Sequence, residues 1–130
     1  MKLLLTIDVL CAEGISVKGA DTEISMVPFT AKAHGEYFKG ETVGTGVDTQ
    51  RLDKNTGAFT LSARYMLEGT DCAGNACRIF IDNSSINGGL HPVIVTDSPV
   101  LAAWENIPLS ATVEPCGGGR VTVKIFSESR

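Results

Sequence analysis

The sequence predicts one mostly-β domain over residues 1–130, a closed antiparallel barrel with a single short helix in its C-terminal third. Three observations predict it. Turn-forming residues recur roughly every 8–15 positions from end to end. The stretches between them alternate apolar and polar residues, the period of a strand with one buried face. The length, 130 residues, is that of one domain, and a chain of this size buries enough surface for a core without staples.

The first strand covers residues 2–10. Leu3, Leu5, Ile7 and Val9 share a face there, and Thr6 and Asp8 interrupt what would otherwise resemble the apolar run of a signal peptide. Glu13-Gly14 and Lys18-Gly19-Ala20-Asp21 are turns. A second strand lies within 23–34, where Val27, Phe29, Ala31 and Ala33 share a face and Pro28, having no N–H, demands an edge or a bulge. Glycines 35, 40, 44 and 46 mark a bent strand continuing through 41–47, or a close approach of backbones. After the turn Asp53-Lys54-Asn55-Thr56-Gly57, residues 58–68 alternate most clearly. Phe59, Leu61, Ala63, Tyr65 and Leu67 face one way, and Thr60, Ser62, Arg64, Met66 and Glu68 the other. Residues 77–83 form the next strand, 83–89 a loop and 91–96 a further strand. Asp97-Ser98-Pro99 starts a short helix over 99–104, since Asp or Ser caps and Pro suits the first turn. Residues 107–113 and 120–126 close a final hairpin across Pro115-Cys116-Gly117-Gly118-Gly119. Most strands pair an aliphatic face with a mixed one. That suits a barrel with polar groups in its lumen, or an oligomer that buries part of the outside.

The net charge of −4 and the scattered Lys and Arg argue against nucleic acid and anionic membranes as partners. No run approaches the length of a membrane span. The cysteines, Cys11, Cys72, Cys77 and Cys116, read as free thiols of a cytoplasmic protein, with a Cys72–Cys77 bridge as the alternative. Cys72 and Cys77 are near a zinc half-site spacing but lack a second pair, so no metal is expected. Gly44-Thr45-Gly46-Val47-Asp48 lacks the third glycine and the following helix of a dinucleotide fingerprint, and no cofactor is expected either.

The candidate ligand-binding residues are Asp48, Arg64, Glu36, Tyr37 and His34. Asp48, after the glycine-rich strand, either closes a turn or lines a pocket. Arg64 is either an exposed strand residue or a fork for a ligand carboxylate. Two strands joined by a short loop are antiparallel neighbours, so Asp48 and Arg64 are expected to face each other, with Glu36 and Tyr37 nearby. Tyr65 points the other way and is expected to pack. His34, beside the Gly35 bend, is an acid–base candidate or an ordinary histidine. The apolar side chains Leu4, Leu10, Met66 and Phe80 fall on the less apolar side of their strands, which predicts a homo-oligomer, most simply a dimer.

Taken in order, Gly35-x-x-Phe38-x-Gly40, Gly46-Val47-Asp48, Ala63-Arg64-Tyr65-Met66-Leu67 with Asp71, then Gly74, Ile79 and Asn83, and the late Trp104-Glu105-Asn106 resemble the uncharacterised family called domain of unknown function 3237. The resemblance spans residues 3–126. It implies a calycin-like antiparallel barrel of about eight strands, similar to the allene oxide cyclase barrel. It brings no established activity, although some relatives look like cofactor-independent cyclases or isomerases. Thr49 stands where many relatives carry Trp, and the turn Asp71-Cys72-Ala73-Gly74-Asn75 is longer than theirs; both departures are expected at the barrel mouth. The functions in contention are a barrel binding a small polar or amphipathic ligand, a cofactor-independent isomerase or cyclase using Asp48, Arg64 or Glu36, and a barrel filled by its own side chains.

Overall fold

The computed structural model describes residues 1–86 and 88–128. These form ten antiparallel strands: β1 (Lys2–Cys11), β2 (Ile15–Lys18), β3 (Thr22–His34), β4 (Phe38–Thr42), β5 (Gly46–Asp53), β6 (Phe59–Asp71), β7 (Ala76–Ile86), β8 (Gly89–Thr96), β9 (Leu109–Gly117) and β10 (Arg120–Ser127). Each pairs with its neighbour in the order β1-β10-β9-β8-β7-β6-β4-β3, and β1 pairs with β3 to close the barrel. β4 and β5 lie end to end between β3 and β6 and act as one stave, so the closed barrel has eight staves, while β2 extends the edge of β3. Closure matters because it leaves few strand edges to solvent.

The inward period holds over most of the chain. Phe29, Ala31, Ala33, Tyr65, Leu67, Ile79, Ile81, Ile94, Val123 and Ile125 are all buried. In β1 it shifts. A bulge between Leu3 and Leu5 in the pairing with β10 turns both Leu4 and Leu5 inward and leaves Leu3 exposed. Leu4 is therefore a core residue and not part of the outer apolar surface expected of it.

Pro28 sits at a second bulge. Residues 12–14 of the first arm face only 27–28 of β3, between the pairs Cys11↔Phe29 and Ile15↔Met26. The Pro28 carbonyl accepts the Ala12 N–H at 2.8 Å, and its missing donor faces the corner where β1 gives way to β2. The expected bent strand over 41–47 is two strands with a corner at residues 43–45. In the gap between them, the Ala31 N–H is satisfied by the Thr42 hydroxyl at 3.2 Å. Gly44 turns the corner with a φ of +67°, whereas Gly46 is a close-approach position. A Cβ on Gly46 would lie 2.5 Å from the Phe29 ring and 2.7 Å from Tyr65 Cβ. The expected loop over 83–89 is mostly strand, since β7 runs to Ile86 and β8 begins at Gly89; Asn87 lies outside the described residues.

The expected short helix is a 3₁₀ turn, Ala102–Glu105. Pro108 follows too closely for an α-helix to develop. This turn plugs one end of the barrel. Trp104 and Leu101 are buried there, and Trp104 meets the Tyr37 ring edge-on at 6.0 Å. A carboxylate anchors the plug. Asp71 Oδ2 accepts the Ser98 hydroxyl at 2.7 Å and the Asn75 side-chain amide, while Oδ1 accepts the N–H groups of Ala73 and Asn75. The Ser98 hydroxyl first, then the backbone donors, hold Asp71 below the usual carboxylate range. A carboxylate lowered by folding stabilises above its unfolded pKa, near 3.9, and that stabilisation is lost as pH falls through the lower folded value. Urea unfolding from pH 7 down to pH 2 is thus expected to show an acid loss of stability that Asp71→Asn reduces. A wild-type slope unchanged in the variant would remove Asp71 from this role.

Candidate functional site

The opposite end of the barrel is open. β8 and β9, joined through the 3₁₀ turn, share a single ladder pair, Leu90↔Ala111, near this end. A pocket of about 330 Å³ opens there, lined by Phe59, Leu61, Ser85, Leu90 and Val113 among others. Below it the lumen is filled. Leu5, Ile7, Leu67, Ile79, Ile81, Ile94 and Ile125 are fully buried.

Between the open pocket and this filled core lies one layer of inward residues. The pairings Val27↔Asp48, Asp48↔Ala63, Ala63↔Asn83 and Asn83↔Pro92 run continuously across five strands. Asp48 and Asn83 therefore flank the small Ala63 across two strand spacings, on the order of 10 Å between backbones. Their polar atoms are not all satisfied. Asp48 Oδ2 accepts the Gln50 amide at 3.0 Å, but Oδ1 is buried and among the described residues meets no donor. Asn83 Oδ1 is likewise buried without a partner. Buried acceptors without donors cost about 1–3 kcal/mol each, so a fold retains them where something else supplies the donor.

Cys11 joins this end from β1, opposite Phe29. Burial first, then the charge of Asp48, push its thiol up, which makes it a poor nucleophile at neutral pH. Tyr65 packs edge-on against Phe29 with ring centroids 5.1 Å apart, and burial raises its phenol well above the usual range. Ser85 ends the β6–β7 ladder, its hydroxyl accepting the Leu61 N–H at 3.0 Å.

The structure separates the residues expected to share a site. Asp48 stands opposite Ala63 and Arg64 opposite Val47, one position away from the pairing that would have joined them. A one-residue offset changes the face. Asp48 points into the lumen, while Arg64 lies outside with its side chain 69% exposed and an ion pair to Asp82 at 3.4 Å. No Asp48–Arg64 pair forms. Glu36, Tyr37 and His34 are at the plugged end. His34 lies seven residue steps along β3 from Val27, the partner of Asp48, roughly 23 Å of strand. Glu36 is exposed, Tyr37 packs on Trp104 with the Lys2 ammonium 5.1 Å from its ring centre, and His34 makes an exposed 3.0 Å contact with Asp8. The turn Asp71–Asn75 also lies at the plugged end, so the two departures noted in the sequence are at opposite ends.

Sequence reasoning did not single out Asn83 or Gln50 as site residues. A signal was present: Asn83 continues the inward series Cys77, Ile79, Ile81, where an unpaired polar residue is conspicuous. All four cysteines are free thiols, Cys77 buried and Cys72 exposed. No three His, Cys, Asp or Glu side chains among the described residues cluster to hold a metal, and no helix among them is long and apolar enough to cross a membrane. A wide outer groove of about 850 Å³ crosses β10, β1 and β3, but the Asp8, Lys32, Glu41 and Arg120 that line it are solvated and mixed in sign.

Fold and lumen together define a closed eight-stave barrel with a polar layer beneath one open end. The same fold is seen in a protein of unknown function from Clostridium acetobutylicum ATCC 824, with a TM-score of 0.81 at 20% identity over 97% of this chain and 94% of that one. A β-barrel like protein from Acinetobacter baumannii AYE matches with a TM-score of 0.73 at 15% identity, over 97% and 93% of the two chains. An enzyme from Penicillium herquei matches with a TM-score of 0.72 at 13% identity, over 96% and 92%. At these identities the likeness is one of fold. No family model and no curated protein matches the sequence.

Proposed function

We propose that this chain is a small-molecule-binding barrel whose ligand enters the open end and donates hydrogen bonds to Asp48 and Asn83. The observation that carries this reading is the pair of buried, partnerless oxygens on one inner layer beneath a pocket. The walls suggest the ligand class. Phe59, Leu61, Leu90 and Val113 suit an apolar body, and the two acceptors suit a hydroxyl or amine at its inner end. The ligand is thus small and amphipathic, and the binding needs no cofactor. On the same reading the chain is a cytoplasmic member of the domain of unknown function 3237 family, an attribution resting on the ordered residues from Gly35 to Asn106.

A second reading is a cofactor-independent isomerase or cyclase in which Asp48 takes a proton from the bound molecule. The presence of an enzyme among proteins of this fold favours it.

The test is a thermal-shift screen of small hydroxy- and amino-bearing amphiphiles, followed by calorimetry on the hits. Asp48→Ala and Asn83→Leu are each expected to weaken binding at least tenfold, about 1.4 kcal/mol. Arg64→Met and Glu36→Gln are expected to leave it unchanged. Affinity that survives both lumen variants overturns the site. Turnover of a bound hit, abolished in Asp48→Ala, selects the enzyme reading.

A further inference from the structure

The outer face of β6, β7 and β8 carries an apolar stripe between two rows of charge. The register places Met66, Phe80 and Val95 side by side across the three strands. Met66 is 37% exposed, Val95 49% and Val93, one row along, 56%. Val43 extends the stripe past β6, its N–H bonded to the Met66 carbonyl at 2.8 Å.

On one side of the stripe Glu68 pairs with Arg78 at 2.8 Å, and on the other Arg64 pairs with Asp82 at 3.4 Å. Read along the strands, β6 carries the cation at 64 and the anion at 68, whereas β7 carries the cation at 78 and the anion at 82. The four charges are the corners of a long rectangle, about 5 Å across the strands and about 13 Å along them, whose diagonals join like signs and whose centre is Met66 and Phe80.

We propose that this face binds a second copy of the chain, sheet against sheet, about a two-fold axis lying in the interface. The alternation of charge around this rectangle is what selects that occupant. Turning a copy over about an axis along the strands sets Arg64 over Asp82 of the partner subunit and Glu68 over Arg78 of the partner subunit. Turning it about an axis across the strands sets Arg64 over Glu68 of the partner subunit and Arg78 over Asp82 of the partner subunit. Either way every charge meets its opposite, and the apolar stripes meet at the centre. Closed two-fold dimers use one patch twice, so the patch must be complementary to itself. This one is. Two twisted sheets packing with strands nearly aligned also interdigitate such side chains well. The interface is independent of the ligand site, because Tyr65, Ile79 and Ile81 separate it from the lumen.

The test is sedimentation equilibrium at micromolar concentration. The wild-type chain is expected at twice its 13.7 kDa mass. A 13.7 kDa particle overturns the proposal. Two further variants locate the interface. R64E/R78E makes all four corners acidic, and E68K/D82K makes all four basic. Each alone is expected to weaken self-association by roughly a hundredfold, since facing like charges cost several kcal/mol. Mixing the two is expected to restore a one-to-one dimer. Because exposed ion pairs contribute little to stability, both variants are expected to keep the wild-type circular dichroism spectrum. Met66→Glu, midway between the two charge rows, provides an independent break that leaves the four charges in place. Dimers that persist in Met66→Glu, or charge variants that fail to recombine, place the interface elsewhere and overturn the assignment.

Discussion

Replacing Gly69 by alanine is expected to destabilise the barrel by about 3 kcal/mol or more, a fall in Tm of roughly 10 °C. Gly69 on β6 lies directly opposite Gly40 on β4. A Cβ on Gly69 would overlap the Lys39 carbonyl oxygen and come within 2.5 Å of the Gly40 Cα. A Cβ on Gly40 would in turn meet the Glu68 carbonyl and lie 2.6 Å from the Phe38 ring. Neither obstacle is the tip of a flexible side chain. The carbonyls belong to a strand ladder, and Phe38 is fully buried beneath them. The two backbones must therefore separate, and separating them breaks the stave between β3 and β6. A variant melting within two or three degrees of wild type, about 1 kcal/mol for a chain of this size, would show that the crossing is slack.

Asn83→Leu is expected to act in the opposite direction on stability, raising it by about 1–2 kcal/mol while weakening ligand binding at least tenfold. The Asn83 side chain is buried between Ala63 and Pro92, and its Oδ1 has no donor among the described residues. Leucine has a similar volume and no acceptor to desolvate. An activity site that is not at its stability optimum shows this signature, because the polar group is retained for something that binds rather than for the fold. Urea unfolding of the ligand-free protein measures it. A loss of stability in Asn83→Leu would mean that the amide supports the barrel itself, and Asp48 would then be left as the only acceptor arguing for a ligand.

These two positions differ in how visible they were in the chain. Glycines 35, 40, 44 and 46 marked a bend or a close approach without deciding which; Gly40 and Gly46 are close approaches, Gly44 is a corner, and Gly69, which faces Gly40, was not among them. Asn83 looked like the start of a loop, because Ser84, Ser85 and the glycines that follow are turn formers. The strand continued through them since β7 had a partner on each side, and pairing outweighs local propensity. The bulge at Leu4 was hidden for a related reason. Three leucines in a row fit either face, and only the pairing with β10 determines which two turn inward.

The sequence by itself determined the β class, most strand positions, and which face of β3 and β6 is buried. Those properties follow from the period of apolar residues and from turn chemistry, both of which act over a few residues. The tertiary structure decided what joins across the chain: the closure of β1 on β3, the plug of Trp104 at one end, and the one-residue offset that keeps Asp48 inside and Arg64 outside. It also sent Glu36, Tyr37 and His34 to the end away from Asp48 and brought Asn83 toward it. Register is a long-range quantity set by all the paired strands together, and alternation within one strand reads the same for either register, so only the closed barrel distinguishes a lumen residue from a surface one.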